Sequence, residues 1–383
     1  MQSRTIFSDE HNQFRDTVRR FFRKECEPHL KEWEKRGMFD PGVFRKAAEY
    51  GILCAGMPTE YSGMGGDFLH HAILHEEAGF AMAGASMGGG LGIDGSSYII
   101  LDGGTEEQKR EWLPRYASGE TIAEACFTEP QSGSDVAGFR THAKRDGSDY
   151  LINGNKIWIT NGSMCTMLPV VTRTKEGKGS DCFSVFLVDA DTPGLSKGRP
   201  IETLHKGCAN EAEFFFDNVR VPKERLLGGE EGRGFKQVMS TLNEMRAAEA
   251  ARYLAAAELA FDLTVEYTKN RVAFGSRIID FQNSQFRLAD MKAEIMVERA
   301  YIDQCLAKTQ HLDHSLTPLE SSVAKLTASE LEFRVADQCL QLHGGMGYVH
   351  ETPISRIWTQ ARVHRILLGT SEIQRLAIGR SIK

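Results

Sequence analysis

The spacing of apolar residues divides the chain into a helical beginning, a strand-rich middle and a helical end. Near the N-terminus, Ser8 followed by His11 three residues later indicates a helix N-cap. The apolar residues that recur after it at helical spacing are Phe14, Val18, Phe21 and Phe22. We therefore predict that residues 1–121 form a mostly helical domain.

From about residue 122 the pattern changes to short β-rich runs separated by glycine and proline. Tyr150–Thr160 contains two such runs around Asn153–Gly154, a pair typical of a tight hairpin turn. Phe183–Val188 and Ala212–Phe216 continue the pattern. The sequence predicts a small antiparallel β domain over residues 122–228.

After Gly228–Gly229 the chain becomes helical again, so residues 229–383 are predicted to form a helical bundle. Lys236–Lys269 contains no glycine or proline and is rich in strong helix formers, which predicts one long helix. Further helices are predicted over 284–311, 317–342 and 366–380. The fold class is α+β, mostly α.

Composition narrows the class of protein. Hydrophobic residues make up 41% of the 383 residues and charged residues 26%, as in soluble enzymes. No run approaches the roughly 20 apolar residues that span a bilayer, so no membrane segment is predicted. The N-terminus is charged and includes acidic residues, unlike a signal or transit peptide. We expect a cytoplasmic protein, and a form with a trimmed mitochondrial presequence stays open.

Charge and cysteine content exclude further classes. The net charge is −6, with basic and acidic residues interleaved, which argues against a nucleic-acid-binding face. The eight cysteines are scattered without a CxxC pair, which argues against a zinc site or a disulfide framework. No metal site is predicted.

Two segments of the middle domain could contact a planar group. Phe127–Asp135 combines proline, glycine and hydroxyl residues, so its backbone N–H groups could bind a heteroaromatic ring or a carbonyl. An ordinary surface turn explains it equally well. Trp158–Thr160 could shield one face of a planar cofactor, although a strand tryptophan more often lies in the core.

Three segments of the last domain could meet phosphates or approach a ligand closely. Arg271 in Arg271–Gly275 suits a pyrophosphate, or is a solvated loop arginine. The glycines of Gln341–Gly347 permit close backbone approach, or end a helix. Leu368–Gln374 opens the last helix, where N–H groups suit anions, or where Thr370 or Ser371 is an N-cap.

Together, in this order and spacing, these segments resemble the acyl-CoA dehydrogenase family across nearly the whole chain, and most closely its long-chain and branched-chain branch. The resemblance implies an N-terminal helical domain, a central antiparallel β-barrel and a C-terminal four-helix bundle. It implies FAD as cofactor, an acyl-CoA substrate and an electron-transferring flavoprotein as partner. It also implies a homotetramer, because a neighbouring subunit completes FAD sites in this family.

The resemblance also assigns site residues by position. Those implied to contact FAD are Ala125, Phe127, Thr128, Gly133, Ser134, Trp158, Ile159, Thr160, Arg271, Phe274, Phe281, Gln282, Gln341, Leu342, Gly344, Gly345, Thr370, Ser371 and Glu372. Those implied to meet the substrate are Ser134, Asn243, Arg246 and Gly369.

The catalytic base departs from the family pattern. Family members place a glutamate directly before the Gly-Thr of the C-terminal segment or directly before the arginine matching Arg246, and here these positions are Leu368 and Met245. Glu249 lies on nearly the same helix face as Met245, about 6 Å farther along. Glu244 is adjacent in sequence but about 100° around the helix. Helical phase favours Glu249 over Glu244, and a third alternative is that neither is the base.

Two expectations about Glu249 follow from its surroundings in sequence. If its side chain enters the acyl cavity, partial burial should raise its pKa and make it a better base. Alternatively, Glu249 forms a salt bridge with Arg252 at i+3.

The expected function is FAD-dependent α,β-dehydrogenation of an acyl-CoA thioester, in fatty acid metabolism, with electrons passed to the electron-transferring flavoprotein. A glutamate in the acyl cavity would suit a polar or modified chain, and a carrier-protein-bound acyl group fits the same class. The alternative is altered chemistry, an oxidase or a base-independent reaction, which the apolar Met245 and Leu368 favour. A nucleic-acid-associated flavoprotein is disfavoured by the acidic balance.

Overall fold

The computed structural model describes residues 4–87, 91, 94–177, 179–208 and 210–383. Helices dominate both ends of the chain and strands the middle. In chain order the α-helices are α1 (Asp9–Phe21), α2 (Leu30–Arg36), α3 (Gly42–Glu49), α4 (Phe68–Phe80), α5 (Met82–Met87), α6 (Asp94–Gly103), α7 (Glu106–Ala117), α8 (Gly234–Ser240), α9 (Leu242–Asn270), α10 (Gln282–Ala307), α11 (Pro318–His343), α12 (Pro353–His364) and α13 (Ser371–Ser381). No helix in these ranges is both long and apolar enough to cross a membrane.

One six-stranded sheet forms most of the middle segment. Its strands are β1 (His142–Asp146), β2 (Asp149–Ile159), β3 (Met167–Arg173), β4 (Phe183–Asp189), β5 (Leu195–Lys197) and β6 (Ala212–Val221), in the order β4-β3-β1-β2-β6-β5. The α+β, mostly helical fold is confirmed, but the sheet is a curled half-barrel rather than a closed barrel, because β4 and β5 remain edges. It is also not wholly antiparallel, since β1 and β3 pair in parallel.

The hairpin predicted at Asn153–Gly154 is wrong. The strand β2 runs through both residues, and the turn to β1 lies at Gly147, with φ 66°. Gly154 is required for a close approach instead, because a Cβ there would lie 2.4 Å from Oγ1 of Thr141. Asn153 Oδ1 accepts a hydrogen bond from the backbone N–H of Asn218 at 2.9 Å. The Asn-Gly pair therefore marks an irregularity between β2 and β6.

The helical prediction for the end of the chain is correct in type and wrong in detail. The long helix predicted over 236–269 is two helices, α8 and α9, separated at Thr241, whose ψ of −3° departs from helical geometry. The prediction for 366–380 begins too early, since α13 starts at Ser371. The sequence prediction missed α12 entirely; its hydrophobic face buries Ile354, Ile357 and Ala361.

The chain divides into two units, each built from segments that are distant in sequence. The helical unit comprises Met1–Leu30, Asp67–Gly88 and Asn243–Lys383, and the sheet unit comprises Lys31–Gly66 and Gly89–Leu242. The sequence analysis instead predicted three domains that follow one another along the chain, with boundaries at residues 121 and 228. That division stays a prediction.

A close approach of α4 to α9 organises the helical unit. A Cβ at Gly79 would lie 2.3 Å from the carbonyl oxygen of Arg252 and 2.7 Å from Cβ of Ala255. Only glycine lets the two helices approach this closely. One turn earlier on α4 is His75, whose Nδ1 lies 3.2 Å from Oε1 of Glu249 on α9.

Replacing Gly79 by alanine should therefore destabilise the helical unit by about 1–3 kcal/mol, because the helices must separate. The matched control is Gly379→Ala near the end of α13, where a Cβ would meet no atom of the described residues within 4 Å. There, alanine should stabilise by about 0.5–1 kcal/mol, its helix-propensity advantage. Urea unfolding midpoints measure both; equal shifts of the same sign would contradict the close approach.

Candidate active site

A buried ion pair holds the predicted Phe127–Asp135 loop of the sheet unit. Lys156 on β2 is fully buried, and its Nζ lies 2.8 Å from Oε1 of Glu129 and donates to the Phe127 carbonyl at 2.8 Å. Glu129 also accepts the backbone N–H groups of Arg140 at 2.6 Å and Thr141 at 3.0 Å. Burial would raise the pKa of Glu129, but Lys156 and these donors lower it overall, so the carboxylate stays charged.

The loop presents unpaired backbone donors. Within the described ranges, the N–H groups of Thr128, Gly133 and Ser134 have no hydrogen-bond partner. Gly133 and Ser134 are exposed, whereas the residues leading into the loop, Ala125, Phe127 and Thr128, are half-buried. The loop thus has the ordered form and free donors that the sequence predicted.

Trp158 and Ile159 face opposite sides of β2. Trp158 is 53% exposed with φ 63°, so it is not the core tryptophan that composition favoured. Ile159 is 3% exposed and belongs to the sheet core, so only its backbone remains for a ligand. Thr160 is half-buried, and its carbonyl accepts from Cys165 Sγ at 3.7 Å.

In the helical unit, Arg271 precedes a tight hairpin of β7 (Val272–Ala273) and β8 (Ser276–Arg277). Arg271 is exposed, and its backbone N–H donates to Tyr267. Phe274 at the tip is 98% exposed with φ 53°, and its ring lies edge-on to that of Phe281, centroids 6.5 Å apart. Gln282 then opens α10.

The Gln341–Gly347 segment ends α11, so the C-cap interpretation is confirmed. Gly344 is the C-cap with φ 58°, and its N–H donates to the Gln341 carbonyl. Among the described residues, no atom lies within 4 Å of where a Cβ of Gly344 or Gly345 would be. Gln341 is exposed and Leu342 half-buried, leaving an open backbone surface.

The C-terminal segment turns tightly before α13. Leu368 has φ 51° and Gly369 φ 88°. Nε2 of Gln374 donates to both of their carbonyls at 3.0 Å. Thr370 is the N-cap of α13, as one sequence interpretation predicted, because its Oγ1 accepts from Ile373 N–H. Ser371 and Glu372, also predicted to contact FAD, differ in exposure. Ser371 is buried and its hydroxyl donates to Glu330, whereas Glu372 is exposed.

Two buried cations contact this turn. Nε of Arg246, on α9, lies 3.4 Å from the Leu368 carbonyl, and Nζ of Lys325, on α11, donates to the Gly369 carbonyl at 3.0 Å. Burial lowers the pKa of Arg246 to about 10. Burial first, and Arg246 second, lower the pKa of Lys325 to about 8. Arg246 has no carboxylate within 4.0 Å among the described residues, so its charge lacks an anionic partner there.

Glu249 is buried and already paired. Arg252 contacts its Oε2 through Nε at 2.9 Å and through Nη2 at 2.8 Å, which confirms the i+3 salt bridge. The expectation of a raised pKa is wrong: burial acts in that direction, but Arg252 and His75 lower the pKa overall. Glu249 is therefore a firmly ionised carboxylate and a weak proton acceptor.

Glu244 and Asn243 lie about one and a half turns before Glu249 on α9. Glu244 is 1% exposed, with Oε1 3.3 Å from Nδ1 of His314. Asn243, a predicted substrate contact, donates to the Leu316 carbonyl at 3.2 Å and accepts from Ser321 Oγ at 2.9 Å. Its amide thus supports the packing of α9 against α11.

Sequence reasoning missed several residues that shape these segments. Lys156 occupies an inward-facing position of an alternating strand, and a charge in that phase is the pattern that could have revealed it. Nothing local in sequence marked His75 or Lys325, because their partners lie far along the chain. Gln374 ends the Leu368–Gln374 segment, but periodicity does not predict the turn that its side chain holds.

His11, Asp67 and His70 form a group that could hold a metal ion. However, Nδ1 of His11 accepts the Ser8 N–H at 3.1 Å, and Nδ1 of His70 accepts the Asp67 N–H at 3.2 Å. The Asp67 carboxylate lies beside both rings, with Oδ1 2.9 Å from His11 Nε2 and 3.2 Å from His70 Nδ1. The group works as a pair of helix caps.

Comparison with known proteins covers the whole chain. The models for the N-terminal, middle and C-terminal domains of acyl-CoA dehydrogenase match residues 8–120, 125–219 and 232–383. The mouse mitochondrial long-chain specific acyl-CoA dehydrogenase is 40% identical over 383 residues, covering 99% of this chain and 88% of that protein.

Solved structures agree with this match. An acyl-CoA dehydrogenase from Geobacillus kaustophilus superposes with a TM-score of 0.95 at 37% identity, covering 100% of both chains. A glutaryl-CoA dehydrogenase from Mycobacterium smegmatis, in complex with FADH2, superposes with a TM-score of 0.89 at 28% identity, covering 100% of this chain and 96% of that one. The chain belongs to the acyl-CoA dehydrogenase family.

Proposed function

We propose that the protein oxidises an acyl-CoA thioester between its α and β carbons and passes the electrons to an electron-transferring flavoprotein. Family membership makes it an oxidoreductase that acts on acyl-CoA, with FAD as its cofactor. The observation that carries the proposal is the turn at Leu368–Gly369, whose two carbonyls are held by the buried cations Arg246 and Lys325. By resemblance, this turn belongs to the segment that closes the site in the family.

The residues of the candidate segments fit FAD. The N–H groups of Thr128, Gly133 and Ser134 are free to bind ring heteroatoms. Gly344 and Gly345 leave backbone open to a close ligand, and exposed Arg271 offers a fork of donors to a pyrophosphate. The other residues we propose to hold FAD are Ala125, Phe127, Trp158, Ile159, Thr160, Phe274, Phe281, Gln282, Gln341, Leu342, Thr370, Ser371 and Glu372.

Three residues of the candidate segments share an uncommon backbone conformation. Trp158, Phe274 and Leu368 each adopt a left-handed φ, of 63°, 53° and 51°. Large side chains rarely adopt this conformation, and such residues cluster at functional sites. Each of the three lies in a different candidate segment, but Leu312, which lies outside these segments, adopts the same conformation, so the conformation is compatible with a site in these segments and does not single them out.

The chemistry divides between cofactor and protein. FAD supplies the acceptor for the β hydrogen, which leaves as hydride. The α proton is only weakly acidic, so the protein must polarise the thioester carbonyl and supply a base. We propose that Ser134, Asn243, Arg246 and Gly369 line the substrate. Arg246, buried without an anionic partner among the described residues, is suited to orient an electron-rich group.

The carboxylates proposed as the base from sequence are Glu249 and Glu244. Met245 and Leu368 are apolar, although family members carry the catalytic glutamate at one of these two positions. This difference favours the alternative function, an oxidase or a base-independent reaction. The buried polar groups around Glu249 favour a substrate with a polar or modified acyl chain. The acyl group reaches the site on CoA, or on a carrier protein through the same thioester.

Electron acceptors separate the two functions. We expect the purified holoenzyme to reduce an added electron-transferring flavoprotein under anaerobic conditions when an acyl-CoA is supplied. In air without this acceptor, an oxygen electrode should record no consumption above the no-substrate control. Oxygen consumption matching enoyl-CoA formation would contradict the dehydrogenase and establish an oxidase.

We also propose a homotetramer assembled through the helical unit. Exposed apolar side chains lie on α10 (Phe286 59%, Met296 59% and Val297 73% exposed), at the tip of the hairpin before α10 (Phe274 98%) and in the turn after α11 (Tyr348 91%). An apolar surface of this kind is typical of a subunit interface.

Val297→Glu should therefore lower the mass found by sedimentation equilibrium. The matched control is Leu204→Glu, which places the same charge at a 73% exposed leucine of the sheet unit and should leave the mass unchanged. A monomeric wild type would contradict the assembly. Location in the cytoplasm stays a prediction from sequence.

A further inference from the structure

The proton acceptor of the proposed reaction must lie near two apolar positions, Met245 and Leu368. Nε of Arg246, the residue after Met245, contacts the Leu368 carbonyl at 3.4 Å, so the two positions converge on one end of α9. Glu249 lies on the next turn of the same helix face as Met245, about 6 Å along. The group that replaces the missing glutamate should be sought around Glu249.

Glu249 itself is poorly suited to accept a proton. Arg252 contacts its Oε2 twice, at 2.8 and 2.9 Å, and this pairing stabilises the ionised form. A carboxylate so firmly ionised has little tendency to take a proton from carbon. Glu249 is better placed to orient a neighbouring base.

His75 is that neighbour. Nδ1 of His75 lies 3.2 Å from Oε1 of Glu249, and the residue is 7% exposed. Nε2 of His75 has no hydrogen-bond partner among the described residues. A carboxylate beside Nδ1 favours the tautomer with its proton there, which leaves the lone pair on Nε2. Because no described residue pairs with Nε2, this nitrogen is free to accept a proton from a ligand.

We propose that His75 is the catalytic base, with Nε2 accepting the α proton, and that Glu249 and Arg252 are positioning residues. The α C–H bond breaks, its proton goes to Nε2, and its electron pair enters the new double bond. The β hydrogen departs with its own pair to the hydride acceptor. The imidazolium that forms is stabilised by Glu249, as in other base–carboxylate pairs. This inference rests on the proposed function.

The protonation state of His75 agrees with this role. Burial first, and His71 second, lower the pKa of His75, while Glu249 raises it. The net effect is a neutral imidazole at neutral pH. Of the described residues, the titratable and charged groups in this part of the helical unit include His71 on α4, Glu249 and Arg252 on α9, Glu332 on α11 and His364 on α12.

The direct test is His75→Gln, compared with His70→Gln, a histidine of α4 with 6% exposure that serves as a helix cap. Two readouts are needed: anaerobic flavin reduction by acyl-CoA, and deuterium exchange at the α carbon in D2O. His75→Gln should retain FAD but lose about 100-fold or more in both rates, the usual contribution of a general base. His70→Gln should keep both.

Adding Met245→Glu to His75→Gln should restore at least about tenfold of the lost rate, because it returns a carboxylate to a family position. Flavin reduction by His75→Gln within about threefold of wild type would overturn the proposal while leaving the dehydrogenase intact. A loss that Met245→Glu does not reverse would overturn it too, by assigning His75 a structural role. If the wild-type protein shows neither deuterium exchange nor flavin reduction, both the proposed dehydrogenation and the role of His75 in it are contradicted.

The pH profile tests the assignment without changing His75. The wild-type rate should fall as pH drops through the pKa of His75, which lies below its ordinary value. Glu249→Gln removes an anion that raises this pKa, so the acid limb should move to lower pH. A rate abolished at every pH by Glu249→Gln, with FAD still bound, would make Glu249 the base and overturn the proposal.

Discussion

Replacing Lys156 by methionine should lower the free energy of unfolding of the sheet unit by about 3–5 kcal/mol, because it leaves a buried carboxylate without its counter-charge. Glu129 is 3% exposed, and Nζ of Lys156 is the cation 2.8 Å from it. The same nitrogen holds the Phe127 carbonyl, so the Thr128–Ser134 loop should also lose its fixed form. We therefore expect the variant to lose FAD on gel filtration.

A second variant distinguishes the loss of the ion pair from a general disturbance of core packing. The double variant Lys156→Met, Glu129→Gln should regain part of the stability, because no charge is then left buried and unpaired. Chemical denaturation followed by tryptophan fluorescence measures the stability, and the flavin absorption band measures retention. A Lys156→Met protein with the wild-type midpoint and full FAD content would show that the pair does not hold the loop.

Glu76→Gln should destabilise the helical unit by about 3–5 kcal/mol at neutral pH, since it removes a buried carboxylate that three half-buried arginines share. Glu76 is 1% exposed and contacts Arg4 and Arg15 at 2.5 Å each, and Arg299 as well. The carboxylate thereby fixes the N-terminal segment and α10 to α4, the helix that carries His75.

This cluster also predicts how stability depends on pH. Burial would raise the pKa of Glu76, but Arg299, Arg4 and Arg15 lower it to about 2. A carboxyl group with a folded-state pKa below its unfolded value stabilises the protein above the unfolded pKa, and this stabilisation is lost as pH falls from about 4.5 toward about 2. Asp67 and Glu249, whose pKa values are also lowered, act with the same sign.

Urea unfolding between neutral pH and about pH 3 checks both statements. The midpoint of wild type should fall with pH more steeply than that of Glu76→Gln, which lacks the titrating group. Asp16→Asn is the control: its side chain is 76% exposed, 3.6 Å from Arg19, and its loss should change stability by under about 1 kcal/mol. Equal slopes for wild type and Glu76→Gln would show that Glu76 does not control the acid sensitivity.

The sequence predicted the type of each region because the hydrophobic period changes from about 3.6 to 2 and back. It failed where tertiary contacts override local preference. Asn153–Gly154 is a favoured turn pair, yet the chain continues straight, since Gly154 is needed against Thr141. The uninterrupted pattern over 236–269 did not reveal the break at Thr241. A sheet order that leaves β4 and β5 as edges is set by pairings between distant strands, which periodicity does not encode.

The candidate site shows the same division. Motif resemblance led to the segments around Phe127, Trp158, Arg271, Gly344 and Thr370, and helical phase led to Glu249. The direction of the pKa shift of Glu249 could not be predicted, because its partner His75 lies 174 residues earlier in the chain. Burial alone would have raised that pKa; only the packing of α4 against α9 shows that its partners lower it.

Anaerobic bleaching of the FAD absorption band is the most direct test of α,β-dehydrogenation of a thioester by this protein. Wild type, Glu244→Gln and Glu249→Gln would be titrated with straight, branched, aromatic and carboxylated acyl-CoAs. We expect bleaching by one substrate class, retained in Glu244→Gln and slowed in Glu249→Gln. No bleaching by any thioester, with FAD fully bound, would contradict the dehydrogenase and leave altered chemistry or a different acyl carrier.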